Sequence, residues 1–315
     1  MLNALTIASR KSALALWQSE HIKALLQEEY SLSIDILKTQ TKGDKILDTP
    51  LALIGGKGLF TKEIEEILQR GEAELAVHSL KDMPTSRAKG LVLAAVSARE
   101  DVRDAFLSET YASLDALPQN AVVGTTSLRR AMQLKIYRSD LQIVSLRGNV
   151  QTRLGKLKNK EFDAIILAYA GVKRLELLDA VAFVVPIDTT IMTPAMGQGA
   201  LGIEARDEDE IKRTLSILND DITFRQTHIE RSFVHTLNGG CQAPIGVYCY
   251  AKEGQYFLDA IVGVSDGSAH IKRSICVDLD EWESIGIALA KEMIGEGALE
   301  LIEKTKELTH ANGAG

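Results

Sequence analysis

Short apolar runs alternate with helix-period stretches along most of this chain, and that alternation most narrows the folds open to it. A strand pattern near 4–9 gives way to a helical one near 12–29, then a strand near 32–39, a helix near 59–70 and a strand near 74–79. Strands separated by helices read as βαβ units, in which each helix covers the sheet that its flanking strands build. The rhythm resumes after Asn120, with strands near 121–124, 141–146 and 163–168, each followed by a helical stretch that opens on small or polar residues. Two α/β domains are expected. From about 244 to 278 three strand-like runs follow one another, Ile245–Ala251, Tyr256–Val264 and Ala269–Val277, before an amphipathic helix from about Asp280 to Leu308. That order predicts a small antiparallel sheet with a helix, an α+β domain.

Candidate joints lie at Ala98-Arg99-Glu100-Asp101 and at Thr193-Pro194-Ala195-Met196-Gly197. At 315 residues, 45% of them hydrophobic and 25% charged, the chain can bury more than one core. Its net charge of -7 argues against a nucleic-acid or anionic-membrane partner, although local basic clusters can override the sum. Three cysteines with no CxxC and no zinc-type His/Cys spacing exclude a disulfide framework, leave no metal site and suit a reducing compartment. Cys249 and Cys276 sit in apolar, strand-like surroundings and read as core. The first residues run into Ala4–Arg10 without a signal-peptide pattern, and no long apolar run follows, so a cytoplasmic location away from membranes is expected.

Two glycine signatures fail on context. Gly197-Gln198-Gly199-Ala200-Leu201-Gly202 satisfies GxGxxG but leads into a strand-like run, where dinucleotide binding requires a helix. Gly55-Gly56-Lys57-Gly58 lacks the earlier glycine and the Ser/Thr of a P-loop. HExxH is absent, which removes the main support for zinc hydrolysis. The segment Lys42–Gly58 has several glycines and little periodicity, so it reads as a flap over a site or as a disordered loop.

The chain does carry cationic and hydroxyl residues where strands pass into helices, at Ser9-Arg10-Lys11-Ser12, Gly124-Thr125-Thr126-Ser127-Leu128-Arg129-Arg130, Arg147-Gly148-Asn149-Val150-Gln151-Thr152-Arg153 and Arg174. Helix starts favour anions, and arginine's planar fork suits carboxylates or phosphates. A solvated salt bridge is the ordinary fate of one arginine, but four at equivalent topological places point to a multiply anionic ligand. In His78-Ser79-Leu80-Lys81-Asp82-Met83-Pro84 a short strand delivers Asp82 to its carboxyl end, either to cap a turn or to stabilise a cation and pass a proton. Asn238-Gly239-Gly240-Cys241-Gln242-Ala243-Pro244 sets a thiol on a glycine-opened, proline-broken loop, reachable from solvent or else a small buried hydrophobe in a turn.

These blocks, together with Thr41-Lys42-Gly43-Asp44, Gly55-Gly56-Lys57-Gly58-Leu59-Phe60, Arg99-Glu100-Asp101 and Pro194–Leu201, resemble the porphobilinogen deaminase (hydroxymethylbilane synthase) family nearly end to end. The resemblance implies two α/β domains like type II periplasmic binding proteins, flanking a cleft, plus a small C-terminal α+β domain. The implied boundaries are 1–97 with 198–218, 98–197 and 219–315. It implies a transferase of tetrapyrrole and haem biosynthesis that condenses four porphobilinogens on a dipyrromethane cofactor linked to Cys241 by a thioether. Asp82 is the implied acid/base, with Ser79, Lys81, Ser127, Arg129, Arg130 and Arg147 beside it on the cofactor. Arg10, Ser12, Lys57, Arg153 and Arg174 are implied substrate contacts, and Phe60 either stacks on a pyrrole or fills the core. The implied partners are porphobilinogen and the growing polypyrrole, on a monomer.

Two rivals remain at this level. A solute-binding protein would explain a cationic cleft but not a third domain with an open cysteine. An acyltransferase built on Cys241 would need a histidine partner, and His235 is the nearest in sequence.

Overall fold

A computed structural model describes residues 3–45, 58–59, 61–240 and 242–313. The chain divides into two compact units, the first from the described residues of 1–46, 56–100 and 197–225, the second from those of 101–196 and 226–315.

The first unit holds a five-stranded sheet in the order β2-β1-β3-β10-β4. Strands β1 (Ala4–Arg10), β2 (Ser33–Thr39) and β3 (Leu75–Ser79) run parallel. Strand β10 (Leu201–Arg206) runs antiparallel between β3 and β4 (Leu91–Val96). Helix α1 (Ala13–Glu29) buries Ala15, Gln18, Ser19, Ile22 and Leu26, a three-and-four spacing that keeps them on one face. Ile22 and Leu26 pack with Leu5, Ile7, Leu75 and Ile203 of the sheet. Helix α2 (Lys42–Lys45) is a single turn. Helix α3 (Lys62–Gln69) brings Ile64, Ile67 and Leu68 against Ala8, Ala76 and Leu91 in a second cluster. With both faces covered, the central strands are apolar without alternation, as in β3, whose Leu75, Ala76, Val77 and His78 are all buried.

The second unit repeats the plan. Its larger sheet has the order β7-β6-β8-β5-β9, with β6 (Val122–Gly124), β7 (Gln142–Val144) and β8 (Ala164–Ala168) parallel. Strand β5 (Asp104–Ser108) lies antiparallel between β8 and β9 (Phe183–Pro186). Helices α4 (Leu128–Tyr137), α5 (Val150–Lys158) and α6 (Tyr169–Arg174) follow the three parallel strands in turn. In each sheet the one antiparallel inner strand opens the return of the chain from the other segment, which is why it breaks the βαβ rhythm. The segment 197–202 enters β10 as a strand, as its context required, and the glycines there serve packing. Gly199 has φ +94°, and a Cβ on it would lie 2.3 Å from the carbonyl oxygen of Glu100.

After α7 (Asp209–Leu215), helix α8 (Asp221–Thr236) leads into a three-stranded antiparallel sheet of β11 (Ile245–Lys252), β12 (Gln255–Gly263) and β13 (His270–Val277). One face of it packs against Ile229, Phe233 and Val234 of α8, then Leu289, Ala290 and Met293 of α9 (Ile285–Gly295) and Ile302 of α10 (Ala298–Gly313).

Two expectations are corrected. The helix expected over 280–308 is two helices, because Gly297 takes φ +100° and ends the first. Cys276 is exposed, since on β13 it pairs with Phe257 on the face turned from the helices, whereas Cys249 pairs with Leu258 on the packed face and is buried. Strands β4, β5 and β9 and helix α8 escaped the reading of periodicity. Of the stretch read as a flap, residues 42–45 are helical, while 46–57 lie outside the described residues.

Candidate active site

Three parallel strands end at one edge of the first sheet, and the chemistry-bearing residues gather there. Arg10 is the last residue of β1. Ser12 caps α1, its hydroxyl accepting the amide N–H of Ala15 at 3.4 Å. Ser79 ends β3 and accepts a hydrogen bond from Gln18 Nε2 at 2.8 Å. The chain then makes a 3-10 turn, Leu80–Asp82, which buries Leu80 and leaves Lys81 and Asp82 half-buried. Because β10 runs antiparallel with Leu201 opposite Ser79, the residues before β10 arrive at the same edge. Gln198 is among them, and its Oε1 accepts from Lys81 Nζ at 3.1 Å. Gln18 and Gln198 are 3% and 1% exposed, so two buried amides, each desolvated at a cost, orient Ser79 and Lys81.

The corresponding edge of the second unit is cationic. Ser127 caps α4 and accepts the Arg130 amide at 3.4 Å, which places Arg129 and Arg130 in the first turn. Both guanidinium groups are buried, at 4% and 6% exposure. Asp104, fully buried, sits opposite Ala168 in the antiparallel pairing of β5 with β8, and so reaches the carboxyl ends of the parallel strands. Arg130 donates from Nε at 3.0 Å and Nη2 at 2.6 Å to Asp104 Oδ1, and from Nη1 to the Ile166 carbonyl at 2.9 Å. Arg129 Nη1 lies 2.7 Å from Asp104 Oδ2 and donates to the Thr193 carbonyl at 2.8 Å. Burial pushes the Arg129 guanidinium below its ordinary range, Asp104 opposes that shift, and Arg130 adds to it. One carboxylate shared by two buried cations compensates one of them. The remaining positive charge, at the positive end of a helix, suits an anionic ligand.

At the next passage Arg147 is half-buried, and burial pushes its guanidinium down. Gly148 has φ +107°, and a Cβ on it would fall 2.7 Å from the Thr152 side chain, so the turn needs glycine. Asn149 caps α5 by accepting Thr152 N–H at 2.9 Å, and Arg153 Nε donates to the Gly148 carbonyl at 2.8 Å. Arg174 departs from the expected pattern: it lies in the last turn of the six-residue α6, so three strand-to-helix passages bear the basic or hydroxyl signature at the helix start, and the fourth does not.

Ser127, Arg129 and Arg130 are thus brought together on one helical turn, Arg147 and Arg153 flank another, and Ser79, Lys81 and Asp82 are contiguous in the first unit. Lys57, Phe60 and Cys241 lie outside the described residues. Around Cys241, the amide of Ala243 donates to the Gly240 carbonyl at 3.0 Å, and a Cβ on Gly240 would meet nothing within 4 Å. Sequence reasoning missed Asp104, Gln18 and Gln198. Asp104 had a signal, a carboxylate opening the apolar run Ala105–Leu107, but only strand pairing places it under the arginines.

Fold and edges together define an α/β protein with two five-stranded mixed sheets and a small three-stranded one, its strand ends hydroxyl-lined in the first unit and cationic in the second, as suits a ligand bearing several carboxylates. Residues 5–214 match the family model "Porphobilinogen deaminase, dipyromethane cofactor binding domain", and residues 224–295 match "Porphobilinogen deaminase, C-terminal domain". A porphobilinogen deaminase of Campylobacter curvus is 55% identical, with 97% of this chain and 99% of the relative covered. Another, of Campylobacter hominis, is 53% identical over 98% and 100%. Among solved structures, the regulatory domain of OxyR2 from Vibrio vulnificus is similar at 14% identity and a TM-score of 0.43, covering 71% of this chain and 96% of that one. The chain belongs to the porphobilinogen deaminase family, whose cofactor is dipyrromethane.

Proposed function

We propose that this chain is a transferase of tetrapyrrole and haem biosynthesis that condenses four porphobilinogens head to tail and releases hydroxymethylbilane by hydrolysis. What carries this reading is the buried Arg129–Arg130 pair over a single Asp104, in a chain matched by both family regions. Every pyrrole of substrate and product bears acetate and propionate, so a donor set with cationic charge in excess fits them, and fits the carboxylates of the cofactor equally.

Cys241 is the proposed covalent anchor. When bound, the dipyrromethane supplies a terminal pyrrole with a free, nucleophilic α-carbon. From the second unit, Ser127, Arg129, Arg130 and Arg147 are assigned to cofactor carboxylates, and Arg153 and Arg174 to those of the substrate. From the first, Ser79 and Lys81 are assigned to the cofactor, and Arg10, Ser12, Lys57 and Phe60 to the substrate. In each condensation the substrate's aminomethyl C–N bond would break with loss of ammonia, its carbon would bond to the free α-carbon the bound group presents, and Asp82 would take or pass on the proton that α-carbon gives up. Asp82 is the proposed acid/base for these transfers, and its carboxylate stabilises positive charge on the pyrrole nitrogens. We assign the enzyme to the cytoplasm as a monomer; among the described residues no helix is long and apolar enough to cross a membrane.

Intact mass of the purified protein beside its Cys241→Ser variant, with an aldehyde colour test for dipyrromethane on both, tests the reading. A mass excess equal to the linked dipyrromethane, absent from the variant, is expected. An unmodified protein that porphobilinogen or preformed hydroxymethylbilane also fails to load would leave a binding protein rather than an enzyme.

A further inference from the structure

The side chain of Gln133 is 3% exposed on α4, one turn beyond Arg129, and it makes no contact assigned to any ligand. Its amide spans the backbone of Thr193, a residue 1% exposed: Oε1 accepts the Thr193 N–H at 2.7 Å, and Nε2 donates to the Thr193 carbonyl at 3.1 Å. Nε2 also lies 3.3 Å from the Arg129 carbonyl. A glutamine that satisfies both polar groups of one buried residue replaces a strand neighbour, and any shift of it leaves a desolvated N–H or carbonyl behind.

The Thr193 carbonyl carries a second donor, Arg129 Nη1 at 2.8 Å. That oxygen and Asp104 Oδ2 are two fixed points on which the Arg129 guanidinium rests. On its other side the same segment meets the C-terminal sheet. The Pro194 carbonyl accepts Val247 N–H at 2.9 Å, and a Cβ on Gly246 would meet the Thr193 carbonyl oxygen at 2.9 Å. Val247 and Gly246 lie on β11, the strand that follows Cys241 in sequence. Two further glycines of this sheet region make a close approach to α4: a Cβ on Gly263 would lie 2.7 Å from Met132 Sδ, and one on Gly267 2.8 Å from Lys135 Cβ. Thr193 is therefore layered between the arginine-bearing helix and the strand beyond the cysteine loop, and Gln133 sets its height.

We propose that Gln133 is a positioning residue for the pyrrole carboxylates, acting through the Thr193 backbone on the Arg129 guanidinium. This rests on the assignment of Arg129 to cofactor carboxylates made above. Gln133 touches neither cofactor nor substrate; removing its amide frees the Thr193 carbonyl to drift and turns Arg129 away from its bearing.

A double-mutant cycle on the full chain tests it, with Gln133→Met, Arg129→Lys and the pair. The readouts are the fraction of protein carrying dipyrromethane by intact mass, kcat/KM for porphobilinogen and Tm. Gln133→Met is expected to lower loading and to cut kcat/KM about tenfold, while in the Arg129→Lys background it costs less than about twofold, because residues acting through one contact are not additive. Gln133→Glu keeps the length and the acceptor for Thr193 N–H, so it serves if the methionine variant fails to fold. Its carboxylate repels the Thr193 carbonyl, and the same sub-additive loss is expected. Full multiplicative losses in the double variant would overturn the proposal, as would wild-type loading and kcat/KM with only a lower Tm. If the wild-type chain carries no dipyrromethane even after incubation with porphobilinogen or preformed hydroxymethylbilane, the underlying functional reading fails and takes this one with it; a loaded wild type with an additive cycle sinks this one alone.

Discussion

Arg130 closes on Asp104 through two donors to one oxygen, Nη2 at 2.6 Å and Nε at 3.0 Å from Oδ1, while Arg129 holds the other oxygen at 2.7 Å. Asp104→Asn would leave two buried guanidinium groups without a counter-charge. Breaking a buried ion pair from one side costs about 3–5 kcal/mol, so the urea midpoint should fall sharply. A midpoint close to wild type would mean that the arginines find solvent or another acceptor.

Asp82→Ala should abolish turnover and leave the fold intact. The side chain is half-buried on a one-turn 3-10 segment, so little packing is lost, whereas a missing general acid/base lowers rates by about 10²–10⁴-fold. Near-normal turnover with an unchanged Tm would remove Asp82 from its assigned role.

Ser127 separates capping from carboxylate recognition. Ser127→Ala loses the cap and about 1 kcal/mol of stability. Ser127→Asp keeps an N-cap acceptor and so should hold stability, but it sets a negative charge where cofactor carboxylates are proposed to sit. Loss of loading by intact mass at wild-type stability is expected; normal loading in the aspartate variant would contradict the assignment.

Glu65 supplies a pH signature. Burial pushes its carboxyl above the ordinary 4.5, the Thr61 hydroxyl donating at 2.7 Å opposes this, and the charge of Glu204 reinforces it. A carboxyl raised in the folded state binds more protons there than in the unfolded chain, so its contribution is fully present below about 4.5 and is lost as pH rises through the folded value. Glu65→Gln should erase that decline and leave the variant relatively more stable at neutral pH. Parallel stability profiles for variant and wild type across this range would refute it.

The parallel strands, the first helix and the three-stranded meander were legible because their signals are local. Period-two and period-3.6 patterns, Ser12 before Ala13 and Asn149 before Val150 all act within a few residues. Strand β5 and its Asp104 were not legible, because nothing within Asp104–Ser108 announces that the strand will lie antiparallel to β8. Cys276 reads like Cys249 along the chain and differs because strand register puts it on the other face of the sheet: Cys249 pairs with Leu258 on the face packed against the helices, whereas Cys276 pairs with Phe257.

By itself, the sequence determined the βαβ rhythm, the hydroxyl and cationic residues at strand ends, and a family resemblance carried by ordered blocks, all of them properties of neighbours along the chain. Only the tertiary structure decided that Asp104 pairs with Arg129 and Arg130, that Gln18 and Gln198 orient Ser79 and Lys81, and that Gln133 braces Thr193. Those partners are separated by tens of residues in sequence, and a buried charge or amide selects its partner by proximity after the sheets have formed.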